Sequence, residues 1–336
     1  MTQYTTRAGI DQYVVYGEET SYGTEASTIA SAFNFLQTFG ANLSRGLVKV
    51  KGISGNLPTA NTQITSRDTQ RLLRGKFEGT ANLTFNPINF AFMKFVLGTV
   101  SGDGSAGTPY NYPQATASTD ADKKAYLKVP SVTLSTNHYF SGSTDAADKA
   151  WKLLGWKVNS ATISGSVGDP VSVSLDGPFA NIVGDTTLDA PVALPTEDPY
   201  HFIDATVEYP TSSAIPNIVE NFEFGVTNEI EPLFGLGSDV ASEAKEKSRE
   251  FSLKLTMTRE GTQFMDDFMG AATSLGIPTE IATIKIKLQK SAGKIIEIVC
   301  LQSKISEDPL QEDYPNVSKE TLTIVPKVAY VTEVDE

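Results

Sequence analysis

The sequence is poor in the residues that carry most covalent and metal chemistry. Its 336 residues include one cysteine, Cys300, and two histidines, His138 and His201. A lone cysteine forms no internal disulfide, so stability must come from packing or assembly, and no oxidising compartment is required. Cys300 ends the stretch Ile295-Ile296-Glu297-Ile298-Val299-Cys300, which predicts a strand holding the thiol as a small buried hydrophobe. The histidines lie far apart, without metal-ligand spacing around either. No Gly-x-Ser-x-Gly elbow occurs between a strand and a helix; Ile163-Ser164-Gly165-Ser166 reads as a turn and lacks the pattern. Ala292-Gly293-Lys294 lacks the upstream glycine and following Ser or Thr of a phosphate loop. Nothing positions a pair of carboxylates for sugar chemistry. The expectation is a protein that is not an enzyme and needs no cofactor or metal.

Long apolar runs are also missing. Met1–Tyr13 has no apolar core of the kind an exported precursor carries. Phe90–Leu97, the longest nearly apolar stretch, is too short to cross a bilayer, so no membrane insertion is expected. Positive charge is scarce: 27 Lys and Arg against 40 Asp and Glu give a net charge of −13. That balance argues against a phosphate-binding surface. It is compatible with a protein past which DNA must slide without sticking.

Turn formers are abundant. The 26 glycines and 17 prolines cluster between short apolar stretches, which suits many strands joined by turns better than long helices. The length is comfortable for two domains, each able to bury its own core.

A pass along the chain finds a duplication. Asp11–Gly17 predicts a strand, followed by the turn-rich Glu18–Thr24, then Phe33–Phe39 and the alternating Leu47–Gly52. Phe39, Gly40 and Gly52 map onto Phe224, Gly225 and Gly237 at a constant offset of 185. Phe77–Phe85 alternates like a half-buried strand and matches Phe251–Thr258. Short amphipathic helices follow, and Phe92, Met93 and Gly98 recur as Phe264, Met265 and Gly270 at an offset of 172. The 13-residue change, 185 less 172, fits a longer loop between Gly52 and Phe77. Ser131–Ser135 then matches Thr283–Lys287, Trp151–Val158 matches the strand around Cys300, and Val171–Leu175 matches Thr321–Val325. Trp151 and Trp156 read as core. Each copy runs strand, strand, helix, strand, strand, strand, so residues 1–185 form a first unit and 186–336 a second. The join falls in Ile182–Tyr200, punctuated by Pro191, Pro195 and Pro199.

Two acidic clusters, Glu307, Asp308, Glu312 and Asp313 around Pro309, and Asp120 with Asp122, lack the spacing of a helix-flanked calcium loop and read as solvated loops. One basic patch stands out: Arg67, Arg71, Arg74 and Lys76, in the first copy's longer loop. It reads either as a solvated hairpin or as a surface that meets acidic residues of a neighbouring subunit, where charge would set register. Glu243, Glu246 and Glu250, or the Glu307–Asp313 loop, could supply the acid.

The opening Tyr16-Gly17-Glu18-Glu19-Thr20-Ser21-Tyr22-Gly23-Thr24-Glu25 resembles the start of many tail tube proteins of tailed viruses. So does the order that follows: strand pair, long polar loop, a strand through Glu78-Gly79, one helix, more strands. The resemblance covers most of the chain if the second copy is counted. It implies a mainly β fold of two β-sandwich or split-barrel units, each flanked by one short α-helix, whose sheets join those of neighbours to line a tube. The partners it implies are further copies of the chain in a pseudo-six-fold ring of three two-unit chains, other tail proteins, and DNA passing through the lumen without specific binding. Ile53–Lys76 and Thr2–Tyr13 are the candidates for contact between rings. The alternatives are another tail or decoration component, or a β-rich module that binds glycans or a host surface.

Overall fold

The computed structural model describes residues 12–33, 35–50, 71–113, 128–138, 149–185, 187–189, 196–209, 219–258, 263–270, 276–307 and 319–336. The chain is mainly β, as the turn-rich, short-period sequence predicts. In the first half, β1 (Gln12–Glu18) and the two-residue β2 (Ser31–Ala32) precede a long hairpin of β3 (Leu36–Val50) and β4 (Arg71–Phe85). A 3-10 turn, Ala91–Met93, runs into α1 (Lys94–Leu97). Then come β5 (Tyr110–Tyr112), β6 (Val132–His138), β7 (Lys149–Trp156), β8 (Ser160–Ser166), β9 (Ser172–Phe179) and β10 (Asn181–Asp185). The second half holds β11 (Ala205–Glu208), β12 (Val219–Thr227), β13 (Ile230–Phe234), β14 (Ala241–Glu246) and β15 (Glu250–Thr258). It continues with α2 (Gln263–Met269), β16 (Ile281–Ser291), β17 (Lys294–Glu307), β18 (Lys319–Val325) and β19 (Val328–Asp335).

All strand pairings among these elements are antiparallel. One sheet has the order β10-β7-β6-β1-β2. The larger runs β11-β16-β17-β18-β15-β12-β8-β9-β4-β3, with β19 beside β17 and β5 beside β19. Its middle joins the two halves edge to edge: β8 pairs with β12 from Ser166 opposite Asn221 to Ser160 opposite Thr227. A linker alone therefore does not hold the halves together. β17 serves two partners in turn. Through Leu301 it lies between β16 and β19, and from Lys304 it pairs with β18. The switch falls at Gln302, whose φ of 50° lies in the sparsely used left-handed region.

Alternation dictates the core. In β9 the buried positions are Val173, Leu175, Gly177 and Phe179, and in β18 they are Glu320, Leu322 and Ile324. Their apolar side chains face one interior with Phe224, Leu83, Met93 and Trp156, whose indole N–H donates to the Ala81 carbonyl at 3.2 Å. Phe85 and Phe92 meet edge to face at 5.1 Å between ring centres, so α1 closes over the sheet through its aromatic side. Gly98 ends α1 with φ 103° and ψ −149°, a conformation open essentially to glycine alone, and Gly270 follows α2 with φ 70°. That is the physical reason for the recurring glycine.

Three local expectations are corrected. Ile163–Ser166 is no turn but the end of β8, held between β9 and β12. Arg71, Arg74 and Lys76 belong to strand β4 instead of a loop. Trp156 is fully buried while Trp151 is 40% exposed: a bulge between them keeps both on the face of Leu153, opposite Val132, Leu134 and Thr136, and Trp151 lies toward the outer end of that face, in a groove beyond the core.

Candidate assembly surface

The described residues hold no group of three or more His, Cys, Asp or Glu able to grip a metal ion. The His138 imidazole is held against Thr136 Oγ1 at 3.0 Å, and burial lowers its pKa. The His201 backbone N–H donates to Asp204 Oδ2 at 2.9 Å, capping a short 3-10 turn. Cys300 is buried, which pushes its thiol up to about 12 and keeps it protonated and inert. A cleft of about 930 Å³ lies between the halves and is lined by Glu18, Tyr22, Lys157, Glu246 and Arg249. Its charges satisfy one another. Lys157 Nζ donates to Glu246 Oε1 at 2.7 Å and to the Ala244 carbonyl at 2.9 Å, and Arg249 donates to the Leu97 carbonyl at 3.1 Å. Those bonds join first-half to second-half residues, so the cleft is a joint.

The basic patch is partly answered within the chain. Arg74 Nε donates to Asp239 Oδ2, and Arg45 lies 3.3 Å from the same carboxylate. Lys76 pairs with Glu78 at 2.5 Å and sits 5.3 Å from the centre of the Phe234 ring. The second-half hairpin β13–β14 thus lies against the base of β3–β4. Asp239 was invisible to sequence reasoning, because 165 residues separate it from Arg74 and no local pattern marks it. Glu243 lies 3.7 Å from Lys245, and Glu246 takes both Lys157 and, at 3.2 Å, the Val129 N–H. Glu307, exposed at the end of β17, accepts from Thr323 Oγ1 at 3.2 Å. Arg71 stands opposite Val50 at the outer end of the hairpin. Arg67, Asp308, Glu312 and Asp313 lie outside the described residues.

Among the described residues several sheet borders stand open, and two of them bear on assembly. β3 ends the large sheet, with Leu43 and Leu47 more than half exposed along it. Beneath it runs an apolar groove of about 260 Å³, walled by Phe39, Ala41, Leu43, Trp151, Leu153 and Ile182. The other is the last stretch of β17, from Lys304 to Glu307, whose only strand partner among the described residues is β18. An exposed edge backed by apolar side chains is a template for pairing with another chain.

A family model described as phage tail tube protein matches residues 9–315. The chain belongs to the phage tail tube protein family. No curated protein matches it. A tail tube protein is a structural component of the virion tail, and the family is not an enzyme class. Membership implies self-association and contact with other tail proteins. The open edges and apolar groove of this tail tube protein are the kind of surface such association needs. No helix among its described residues is long and apolar enough to cross a membrane.

Proposed function

We propose that the chain carries two copies of one unit, residues 1–185 and 186–336, and that it assembles into stacked rings, three chains to a pseudo-six-fold ring, whose bore passes viral DNA. The supporting observation is strand order. β3-β4-β9-β8 in the first half recurs as β12-β15-β18-β17 in the second, and β1-β6-β7-β10 recurs as β11-β16-β17-β19. Two alike units already joined through β8 and β12 need only repeat that joint from chain to chain to close a ring. The symmetry is approximate. β3 and β4 are continuous 15-residue strands, whereas their second-half counterparts break at Asn228 and Glu229, and β13–β14 folds onto the first half.

A net charge of −13 suits a bore that repels phosphate over about a Debye length, roughly 8 Å at physiological salt. Residues 53–76 and 2–13 are assigned to contact between rings. Arg67 and Arg71, with Glu307, Asp308, Glu312 and Asp313, are the charged candidates there, and Arg74, Lys76, Glu243 and Glu246 add a rim already partly paired within the chain. Negative-stain imaging of purified protein, with mass measurement of dissociated rings, tests this. Hollow rods of uniform width are expected, built of rings three times the 36.2 kDa chain. Particles without rods would point to another tail or decoration component. The exposed Trp151 favours one further reading, a glycan-binding or host-binding module, for which glycan-array binding by a stable monomer is the signature.

A further inference from the structure

Resting on that reading, the structure itself offers a template for how one chain meets the next. First-half elements cover the second half at three places. β8 covers the edge of β12, β5 covers the edge of β19, and the turn and helix between Phe90 and Leu97 fill the groove between those strands. The helix carbonyls of Val96 and Leu97 accept from Asn228 and Arg249, and the Phe90 N–H donates to Glu333 at 2.8 Å. The first half's own counterparts lack all three covers among the described residues: the outer edge of β3, the outer edge of β10, and the groove of Phe39, Leu43, Trp151 and Ile182.

The matching covers sit uncovered on the second half. In the 3-10 turn and α1, Met93, Val96 and Leu97 are fully buried. Their counterparts in α2, 172 residues on, are Met265, Phe268 and Met269, and all three are only half-buried. The counterpart of β8 is the end of β17, as the registers establish. Phe39 pairs with Leu83, Leu83 with Leu175, and Leu175 with Ala161. Likewise Phe224 pairs with Leu253, Leu253 with Ile324, and Ile324 with Ile305. Ile305 therefore stands where Ala161 stands, and Ser303 where Asn159 stands. Asn159 accepts the Asn228 N–H on its carbonyl and the Ile230 N–H on its side chain. The Ser303 hydroxyl is buried and, among the described residues, has no partner.

We propose that the end of β17 in one copy pairs antiparallel with the outer edge of β3 in the next, Ile305 opposite Ala41, while α2 of the first seats its Met265, Phe268 and Met269 in the apolar groove of the second. Phase supports this register. Ala161 faces Val226 inside the existing joint, and Ile305 would face Ala41 on the side where Phe39 and Leu43 line the groove. The chemistry also matches. Where the internal joint has Asn228 bonding helix carbonyls, the corresponding position on β3 is Leu43, 56% exposed, suited to the thioethers and ring of α2.

The same register places Asn42 opposite Lys304, both exposed and on the solvent side. Directly opposed strand residues lie within disulfide reach. A chain carrying Asn42→Cys and Lys304→Cys, oxidised with diamide, should give a covalent ladder ending at three chains on a denaturing gel, while each single variant gives none. Phe268→Asp should weaken association at least about 100-fold, at a protein concentration and temperature where the variant monomer is shown by its own unfolding curve to be folded, since Phe268 also packs in part on its own core. Rods or rings that form without a ladder would overturn this interface and leave ring assembly standing. A disulfide confined to monomers would overturn it too, by showing the edges covered within one chain. If the unmodified protein forms no rings, the reading beneath it fails as well.

Discussion

Glu333 is the most sensitive probe of the joint between the halves. It sits on β19, 3% exposed, and takes the Phe90 N–H at 2.8 Å and the Tyr112 hydroxyl at 3.2 Å, both from the first half. Burial raises its pKa from 4.5 to about 7, outweighing the two hydrogen bonds that favour the carboxylate; Asp335 adds to the rise and Lys294 opposes it. The folded state thus prefers the neutral acid. Its contribution is fully present below the unfolded pKa, near pH 4.5, and is lost as pH rises through about 7. At about 1.4 kcal/mol per pH unit the loss is roughly 3 kcal/mol. Glu333→Gln keeps the size and an acceptor oxygen but cannot ionise. Urea unfolding of both proteins from about pH 4.5 to about pH 8 should show the unmodified chain losing roughly 3 kcal/mol relative to the variant. Parallel pH profiles for the two would refute the assignment.

Three further outcomes are expected. Gly165→Ala would put a methyl 2.5 Å from the buried Phe222 ring at the β8–β12 joint, and urea unfolding should register a loss of about 1–3 kcal/mol. A chromogenic thiol reagent at neutral pH should leave Cys300 unlabelled until denaturant unfolds the chain, given its burial and a thiol pushed up to about 12. Deleting Asn56–Gln70 should leave folded subunits that fail to stack, and normal tubes in micrographs of the variant would remove this segment from the contact between rings.

Local patterns were legible where the local cause suffices. Phe77–Phe85 alternates apolar and polar side chains, and it is the inner portion of β4. Gly98 and Gly270 recur because both helix ends need a backbone few other residues adopt. Ser164-Gly165-Ser166 misled because its composition is that of a turn, yet neighbours on both sides hold it extended and the Phe222 ring covers the glycine. Trp151 looked interior beside other apolar residues, yet it lies toward the outer end of β7, past the packed core and beside Phe39 and Leu43 of β3.

By itself the sequence determined the β class, the resemblance to tail tube proteins and the acidic balance, because periodicity, composition and charge are properties of short stretches. The tertiary structure decided which edges meet and which stay open. That Arg74 finds Asp239, that β8 finds β12, and that β3 and the end of β17 each keep one side unpaired among the described residues depends on contacts across many tens of residues. Strand pairing is made by backbone groups every residue carries, so side-chain pattern alone does not name the partner.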